Sequence, residues 1–176
     1  MKKIYIIGPV GSGKTTLAKT LSNKINIPMY ELDKVVWDDD NGNIKRSDEE
    51  IAKLFNDIIK NKEWIIEDVG RKKFYDGIYN ADIVYYINLS NFVIYKRCIL
   101  RWFKQLFGLE KYNYKPTLNG LFEMLKWAKS DIKNKNAKIN FIKEKSKKYK
   151  IIYKKDIRKM IIWIKNYFVY LFVLFV

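Results

Sequence analysis

The sequence predicts an α/β fold in which a parallel sheet carries helices on both faces. Short apolar segments alternate with helical stretches, and a glycine-rich phosphate-binding motif joins the first strand to the first helix. Strands that alternate with helices require right-handed crossovers, which place helices on both sides of the sheet. No internal repeat or linker rich in Pro, Gly or Ser divides the 176 residues, of which 48% are hydrophobic. We therefore expect one domain with one substantial core.

The first strand and helix carry the most specific signal. An apolar strand, residues 3–7, runs directly into a complete GxxxxGK[ST] motif at residues 8–15. Glycines let the backbone turn its N–H groups toward a polyphosphate, and the next helix points its positive dipole end at the same anion. Lys14 is predicted to reach the β- and γ-phosphates of ATP, and the Thr15 hydroxyl to bind Mg²⁺. The predicted nucleotide-binding residues are Gly8, Pro9, Val10, Gly11, Ser12, Gly13, Lys14, Thr15 and Thr16.

The remaining elements follow in order along the chain. The further candidate strands are the apolar runs 28–32, 64–67, 83–87 and 149–153. The clearest helix begins after Ser47, which with Glu50 has the spacing of a capping box ahead of an apolar repeat of helical period. The other predicted helices run from the glycine-rich motif to about residue 24, over 72–80, 91–107 and 118–133, then on to about 147, and from near residue 156.

Polar residues that follow the strands are the candidates for binding an acceptor and a metal, because ligands bind beyond the carboxyl ends of such strands. Asp33, close to Trp37, is expected to hydrogen-bond a phosphoryl acceptor or take its hydroxyl proton, with a helix N-cap as the alternative. Glu67 and Asp68 follow an apolar strand as a Walker-B carboxylate does, where Mg²⁺ is held through water. Strand alternation points these two side chains to opposite faces, so the sequence does not choose between them.

Arginines are the candidate groups for the charge of a transferring phosphoryl group. Arg97 and Arg101 are four residues apart on one helix face, and guanidinium groups neutralise phosphate oxygens bidentately. With Lys104 and Lys115 they are expected to form a lid over ATP, and a solvated basic helix face is the alternative. Arg71, directly after the third strand, is expected to hold an anionic group of the acceptor, with a structural role as the alternative.

Composition limits the chemistry that the chain can perform. There is no histidine, which excludes Ser-His-Asp catalysis, histidine bases and histidine-ligated zinc. The single cysteine, Cys98, lies in an apolar helical pattern and is expected to be a buried structural thiol. One cysteine and the lack of a signal-peptide pattern at the N-terminus together predict a cytoplasmic location.

The net charge of +16 is concentrated in the second part of the chain. Residues 1–70 carry 11 Lys and Arg against 12 Asp and Glu, whereas residues 71–176 carry 24 against 7. Residues 126–165 hold 15 basic against 3 acidic residues, which makes nucleic acid a candidate partner. A lysine-rich bias from an AT-rich genome is the alternative explanation. The aromatic residues interleaved there are expected to be core residues: Trp127, Phe141, Tyr149, Tyr153 and Trp163.

The chain resembles the adenylate-kinase-related DNA topology modulation protein family over about residues 1–160. The resemblance rests on residues 8–16, Tyr30-Glu31-Leu32-Asp33 with Trp37, the helix start 47–51, residues 64–67, the Arg97/Arg101 helix and Asn113-Tyr114-Lys115-Pro116-Thr117. It implies a three-layer P-loop NTPase fold with strand order 2-3-1-4-5 and a helical lid before the fifth strand. It also implies that Lys14 and Thr15 bind ATP and Mg²⁺, that Asp33 and Arg71 serve the acceptor, and that Arg97 and Arg101 serve the lid.

Two features depart from that family pattern. A glycine is expected after Glu67, but this chain has Asp68 there and a glycine only at Gly70. The C-terminal segment 167–176 is wholly apolar, and its ten residues are too few to span a bilayer, which needs about 20. We expect this segment to be buried against the domain or a partner, with membrane association as the alternative. The domain is therefore assigned to residues 1–166, with a lid at about 95–145.

Three functions remain from the sequence. The first is an ATP-dependent small-molecule kinase that resembles nucleoside monophosphate kinases and transfers the γ-phosphoryl group to a small acceptor. The second is a DNA-associated regulator that binds ATP without a small-molecule acceptor. The third, a membrane-tethered ATPase, rests on segment 167–176 alone. The first is preferred because Asp33 and the Arg97/Arg101 helix have no role in a simple nucleotide switch.

Overall fold

The structure is a computed structural model that describes residues 2–38, 41–110 and 116–153. The predicted lid residue Lys115, most of the 113–117 motif, Trp163, the helix expected from near residue 156 and the apolar segment 167–176 lie outside these residues. The elements in chain order are β1 (Lys3–Ile7), α1 (Lys14–Ile25), β2 (Met29–Glu31), α2 (Leu32–Val36), β3 (Trp37–Asp38), β4 (Ile44–Lys45), α3 (Asp48–Lys60), β5 (Trp64–Asp68), a 3₁₀ turn (Lys72–Phe74), α4 (Tyr75–Asn80), β6 (Ile83–Asn88), α5 (Asn91–Leu106), α6 (Leu118–Lys133), α7 (Lys135–Lys145) and β7 (Tyr149–Tyr153).

Five strands form one parallel sheet in the spatial order β2-β5-β1-β6-β7. Counted along the chain, the five strands of this sheet stand in the order 2-3-1-4-5, as expected. The central strand β1 pairs with both β5 and β6, so the loop that follows β1 lies between the ends of its two neighbours. The sheet order therefore brings the glycine-rich loop next to the polar residues that follow β5.

The core is divided between the two faces of the sheet because side chains alternate along each strand. Tyr5 and Ile7 of β1 pack on one face with residues of α2, α3, α4 and α7. Ile4 and Ile6 pack on the other face with residues of α1, α5 and α6. Helices thus cover both sides of the sheet, which confirms the predicted fold class. Cys98 of α5 is fully buried, as predicted.

The capping box predicted for α3 is present in full. The Ser47 hydroxyl accepts from the Glu50 N–H at 3.2 Å, and the Ser47 N–H donates to the Glu50 carboxylate at 3.0 Å. The two residues thereby satisfy donors that the first turn of a helix leaves unpaired. These bonds fix the start of α3, whose apolar face enters the core through Ile51, Phe55 and Ile58.

The segment after β2 differs from the prediction. The strand ends at Glu31, two residues before Asp33, and Asp33 lies inside the short helix α2. The helix forms because Leu32, Val35 and Val36 have helical spacing and are all buried in the core. The hairpin of β3 and β4 then follows, with Trp37 paired to Lys45.

None of the helices within residues 2–38, 41–110 and 116–153 combines the length and apolarity needed to cross a bilayer.

Candidate active site

The glycine-rich loop has the backbone geometry of an anion-binding turn. Gly11 and Gly13 adopt positive φ angles of 71° and 92°, a conformation that residues with side chains rarely adopt. The Ser12 N–H donates back to the Pro9 carbonyl at 3.1 Å, which closes the turn. Helix α1 begins immediately after it at Lys14, so the positive end of the helix dipole lies at the loop.

Lys14 and Glu67 bring a cation and an acid together beside this loop. Lys14 Nζ lies 3.8 Å from Glu67 Oε2, and only 8% of Lys14 and 2% of Glu67 is exposed. Burial raises the pKa of Glu67 to about 7, although the charge of Lys14 acts in the opposite direction. Glu67 Oε2 has no hydrogen-bond partner among the described residues. A buried acceptor without a hydrogen-bond partner is costly. This oxygen is therefore a candidate to be protonated, to accept a hydrogen bond from water or to coordinate a cation.

Arg71 pairs with Asp33, which was expected to bind the acceptor, and with Asp68, which was a candidate metal ligand. Its guanidinium donates to Asp68 Oδ1 through Nη1 and to Asp33 Oδ1 through Nη2. Both carboxylates raise the pKa of Arg71, while burial acts against them. Asp68 therefore faces Arg71, whereas Glu67 faces Lys14, as strand alternation predicts for neighbouring residues.

The position of the glycine after β5 has a local cause. Gly70 has a φ of +89°, and a Cβ there would lie 3.1 Å from Ile7 Cγ2. In this conformation the Gly70 N–H donates to Asp68 Oδ2 at 2.7 Å, and the next N–H, of Arg71, donates to the same oxygen at 2.6 Å. The turn after β5 is therefore organised around the buried Asp68 carboxylate.

The two arginines of α5 have different partners. Arg97 Nη1 donates to the carbonyls of Gly11 at 3.3 Å and Ser12 at 2.8 Å, so its side chain supports the glycine-rich loop. Arg101 Nε instead lies 3.0 Å from Glu110 Oε1, beyond the end of α5. The structure thus brings Arg97, but not Arg101, into contact with the phosphate-binding loop.

Asp131 and Lys138 form a part of the site that was not predicted from the sequence. Asp131 Oδ2 accepts from the Val10 N–H at 3.4 Å, and Asp131 Oδ1 accepts from Lys138 Nζ at 2.7 Å. Lys138 Nζ also donates to the Val69 carbonyl at 2.7 Å. The pair connects the glycine-rich loop to the turn after β5. No motif marks these residues, and the only signal in the sequence was that Asp131 is one of three acids among the lysines of residues 126–165.

The other predicted site residues, Trp37, Thr15 and Thr16, are at least partly exposed. Trp37 is in β3, and 39% of it is exposed. Thr15 is partly exposed in the first turn of α1, and Thr16 is exposed, with its carbonyl accepting from the Thr20 hydroxyl.

The residues present fit a nucleotide–magnesium complex better than a metal bound by protein alone. Within the described parts of the chain, no group of three or more Asp, Glu or Cys side chains could hold a metal ion. Mg²⁺ in phosphoryl-transfer sites is held by one or two protein oxygens together with phosphates and water. The Thr15 hydroxyl and the unpartnered Glu67 Oε2 are oxygens of that kind beside the loop.

The aromatic residues of the basic segment are more exposed than expected. Phe141 packs against Tyr75, with ring centroids 4.0 Å apart. Trp127, Tyr149 and Tyr153 are instead about half exposed, at 52%, 42% and 48%. The expectation that they are core residues was therefore wrong for these three. Tyr149 and Tyr153 are exposed because β7 is the edge strand of the sheet.

Comparison with known sequences finds a match to one family model and to curated proteins. Residues 4–68, from β1 to the end of β5, match the ATPase family associated with various cellular activities (AAA). Shikimate kinase from Sulfurihydrogenibium sp. (strain YO3AOP1) is 40% identical over 45 residues, which cover 26% of this chain and 27% of that protein. Shikimate kinase from Flavobacterium psychrophilum is 34% identical over 62 residues, which cover 35% of this chain and 30% of that protein. The matches therefore span less than a third of the length of these curated relatives.

Comparison with solved structures covers almost the whole chain. The structure of shikimate kinase from Acinetobacter baumannii in complex with shikimate matches with a TM-score of 0.59 over 96% of this chain and 93% of that chain, at 14% identity. The chain has the three-layer α/β fold of that structure, with the glycine-rich loop between β1 and α1. At this level of identity the likeness shows the fold alone. Inferences about chemistry rest on the glycine-rich loop and on the acids near the strand ends.

Proposed function

We propose that the protein is an ATP-dependent phosphotransferase that transfers the γ-phosphoryl group of ATP to a hydroxyl group of a small acceptor. The observation that carries this proposal is the juxtaposition at the carboxyl edge of the sheet. Lys14 of the phosphate-binding loop lies beside the buried acid Glu67, and the Asp33–Arg71 pair lies at the neighbouring strand ends. A loop that only bound a nucleotide would not need the second pair.

The roles follow from the positions of the groups. The N–H groups of the loop and Lys14 bind the polyphosphate, and Arg97 holds the loop by its carbonyls. Asp33 accepts the hydrogen bond of the acceptor hydroxyl, and Arg71 fixes the orientation of Asp33. In the reaction the hydroxyl oxygen forms a bond to the γ-phosphorus, the bond from that phosphorus to the bridging oxygen of ADP breaks, and Asp33 takes the hydroxyl proton. Such catalysis is mainly positioning and electrostatic stabilisation, and it needs no histidine.

Thr15 and Glu67 are the residues proposed to bind magnesium. Asp68 is not proposed as a ligand, because its carboxylate pairs with Arg71. When bound, Mg²⁺ would neutralise charge on the phosphate oxygens. Arg101 and Trp37 remain candidates for contacts with the phosphates and with the acceptor. The resemblance to the DNA topology modulation family likewise remains a proposal.

A screen of metabolite pools for ATP-dependent phosphorylation tests this function. Phosphorylated product is expected with the wild-type protein and none above background with Lys14→Ala. Background turnover with every nucleoside, nucleotide and small alcohol would contradict the proposal.

A second function, an ATP-binding regulator associated with DNA, is favoured by one observation. The basic segment described above presents exposed aromatic rings at Trp127, Tyr149 and Tyr153, and aromatic and basic side chains together bind nucleic acid. Retention on DNA that persists at physiological salt would support this function. Retention that disappears by that salt concentration would reduce it to nonspecific attraction.

A further inference from the structure

The charged groups around Arg71 limit the charge that an acceptor bound there can carry. Its guanidinium is shared between Asp33 and Asp68, so these three side chains together carry one negative charge when ionised. Asp68 cannot be displaced easily. Its side chain is fully buried and accepts from three donors, which are the N–H groups of Gly70 and Arg71 and the Arg71 guanidinium.

Three other lysines near these strand ends are paired within the described residues. Lys73 Nζ lies 3.4 Å from Asp48 Oδ1, and Lys34 Nζ lies 3.4 Å from Glu31 Oε1. Lys138 is held by Asp131 and the Val69 carbonyl. Within the described residues, each arginine bonds to a carboxylate or to backbone carbonyls; they are Arg46, Arg71, Arg97 and Arg101. Lys72 differs, since it is exposed and makes no ion pair within the described chain.

Asp33 is the acidic group that this arrangement leaves accessible. Its side chain is 55% exposed, and the bond from Arg71 engages one carboxylate oxygen. A hydroxyl or ammonium donor can reach such a carboxylate. An anion placed there would meet Asp33 and Asp68 at close range, with an arginine that both already occupy.

We propose that the phosphoryl acceptor is a neutral or positively charged hydroxyl compound, such as a polyol, a nucleoside or an amino alcohol, and not a phosphate monoester or a carboxylate. This inference rests on the proposed kinase function. It changes the expected role of Arg71, which orients Asp33 and does not bind an anionic group of the acceptor.

Acceptors matched in hydroxyls but different in charge test the proposal. Glucamine, gluconamide and gluconate, which carry the same hydroxyls, form one set, and uridine and orotidine, which carry the same ribose hydroxyls, form another. Pools of further hydroxyl compounds are sorted in the same way into neutral or cationic and anionic groups. We expect kcat/KM at least tenfold higher for the neutral or cationic members of each phosphorylated set.

The outcomes separate the two proposals. Phosphorylation confined to anionic acceptors would overturn this inference and leave the kinase function standing. No phosphorylation in any pool by protein that binds ATP would overturn the kinase function and this inference with it.

Variants distinguish the charge of Asp33 from its other roles. Asp33→Asn is expected to lower turnover with every acceptor, so the informative quantity is the ratio of kcat/KM for anionic over neutral acceptors. That ratio should rise about tenfold. Asp57→Asn, which removes an exposed carboxylate on α3, should leave the ratio unchanged. An unchanged ratio in Asp33→Asn, or a selective loss of anionic acceptors in Lys72→Ala, would overturn the inference.

Discussion

Lys14 Nζ and Glu67 Oε2 lie 3.8 Å apart, which places the cation of the phosphate-binding loop against a buried acid at the end of β5. Both residues are buried, and Glu67 lies in β5, an interior strand of the sheet. The charge state of the acid is therefore part of the environment of the nucleotide phosphates.

The buried carboxyl of Glu67 should make stability depend on pH. Its pKa is raised by burial to about 7 in the folded protein, from an ordinary value of 4.5. The folded chain therefore binds more protons than the unfolded chain between these values, so the free energy of unfolding falls as pH rises through this window. The total effect is about 3 kcal/mol, since each pKa unit corresponds to about 1.4 kcal/mol. Urea unfolding at a series of pH values measures it.

Glu67→Gln is the variant that isolates this effect, because the amide stays neutral. The difference in stability between wild type and Glu67→Gln should change across pH 5–8 in favour of the variant. Glu123→Gln, at an exposed acid of α6, should give a nearly constant difference. A constant difference for Glu67→Gln as well would show that the carboxyl is not buried as described.

The Asp131–Lys138 pair should stabilise the protein through its connection of two loops. Both side chains are largely buried, at 15% and 17% exposure. Removal of one partner leaves the other charge without compensation, so Asp131→Asn and Lys138→Met should each cost about 2–4 kcal/mol. The double variant should lose less stability than the sum of the losses of the two single variants. Additive losses in urea unfolding would contradict a direct interaction.

Arg97 should affect nucleotide binding more than its neighbour on the same helix. Arg97→Gln removes the bonds to the Gly11 and Ser12 carbonyls, so ATP affinity should fall by about tenfold, the value of one or two charge-assisted hydrogen bonds. Lys96→Gln, at an exposed lysine of the same helix, is the matched control and should change the affinity less than threefold. Equal losses in the two variants, measured by calorimetry, would contradict a specific role of Arg97 at the loop.

Two serine N-caps allow a direct test of the capping box. Ser47→Ala should destabilise the protein by about 1 kcal/mol, because the Glu50 N–H loses its acceptor. Ser90→Ala at the start of α5 should cost less, since the Ser90 side chain makes no capping bond. A larger loss for Ser90→Ala would contradict the assigned caps.

The sequence predicted the elements whose signals are local. The glycine-rich loop and the start of α3 depend on residues that are close in the chain, so their types and spacing were sufficient. The alternation of Glu67 and Asp68 was also predicted, but the choice of partner required the neighbouring strand and helix. A helix near Asp33 was considered only as one that Asp33 would cap, whereas α2 begins at Leu32 and holds Asp33 within it.

Contacts between distant residues could not be predicted. Asp131 reaches Val10 across the fold, and no short motif encodes that contact. Helical periodicity placed Arg97 and Arg101 on one face. Their different partners depend on side-chain direction and on what lies at each end of α5, which a single sequence does not specify.

Calorimetric titration with ATP in the presence of magnesium tests the central claim most directly. The wild-type protein should bind with measurable heat, and Lys14→Ala should bind at least tenfold more weakly. Lys19→Ala, at an exposed lysine of the same helix, should bind like wild type. Folded wild-type protein that gives no heat with ATP, or Lys14→Ala that binds as tightly as wild type, would contradict a nucleotide site at this loop.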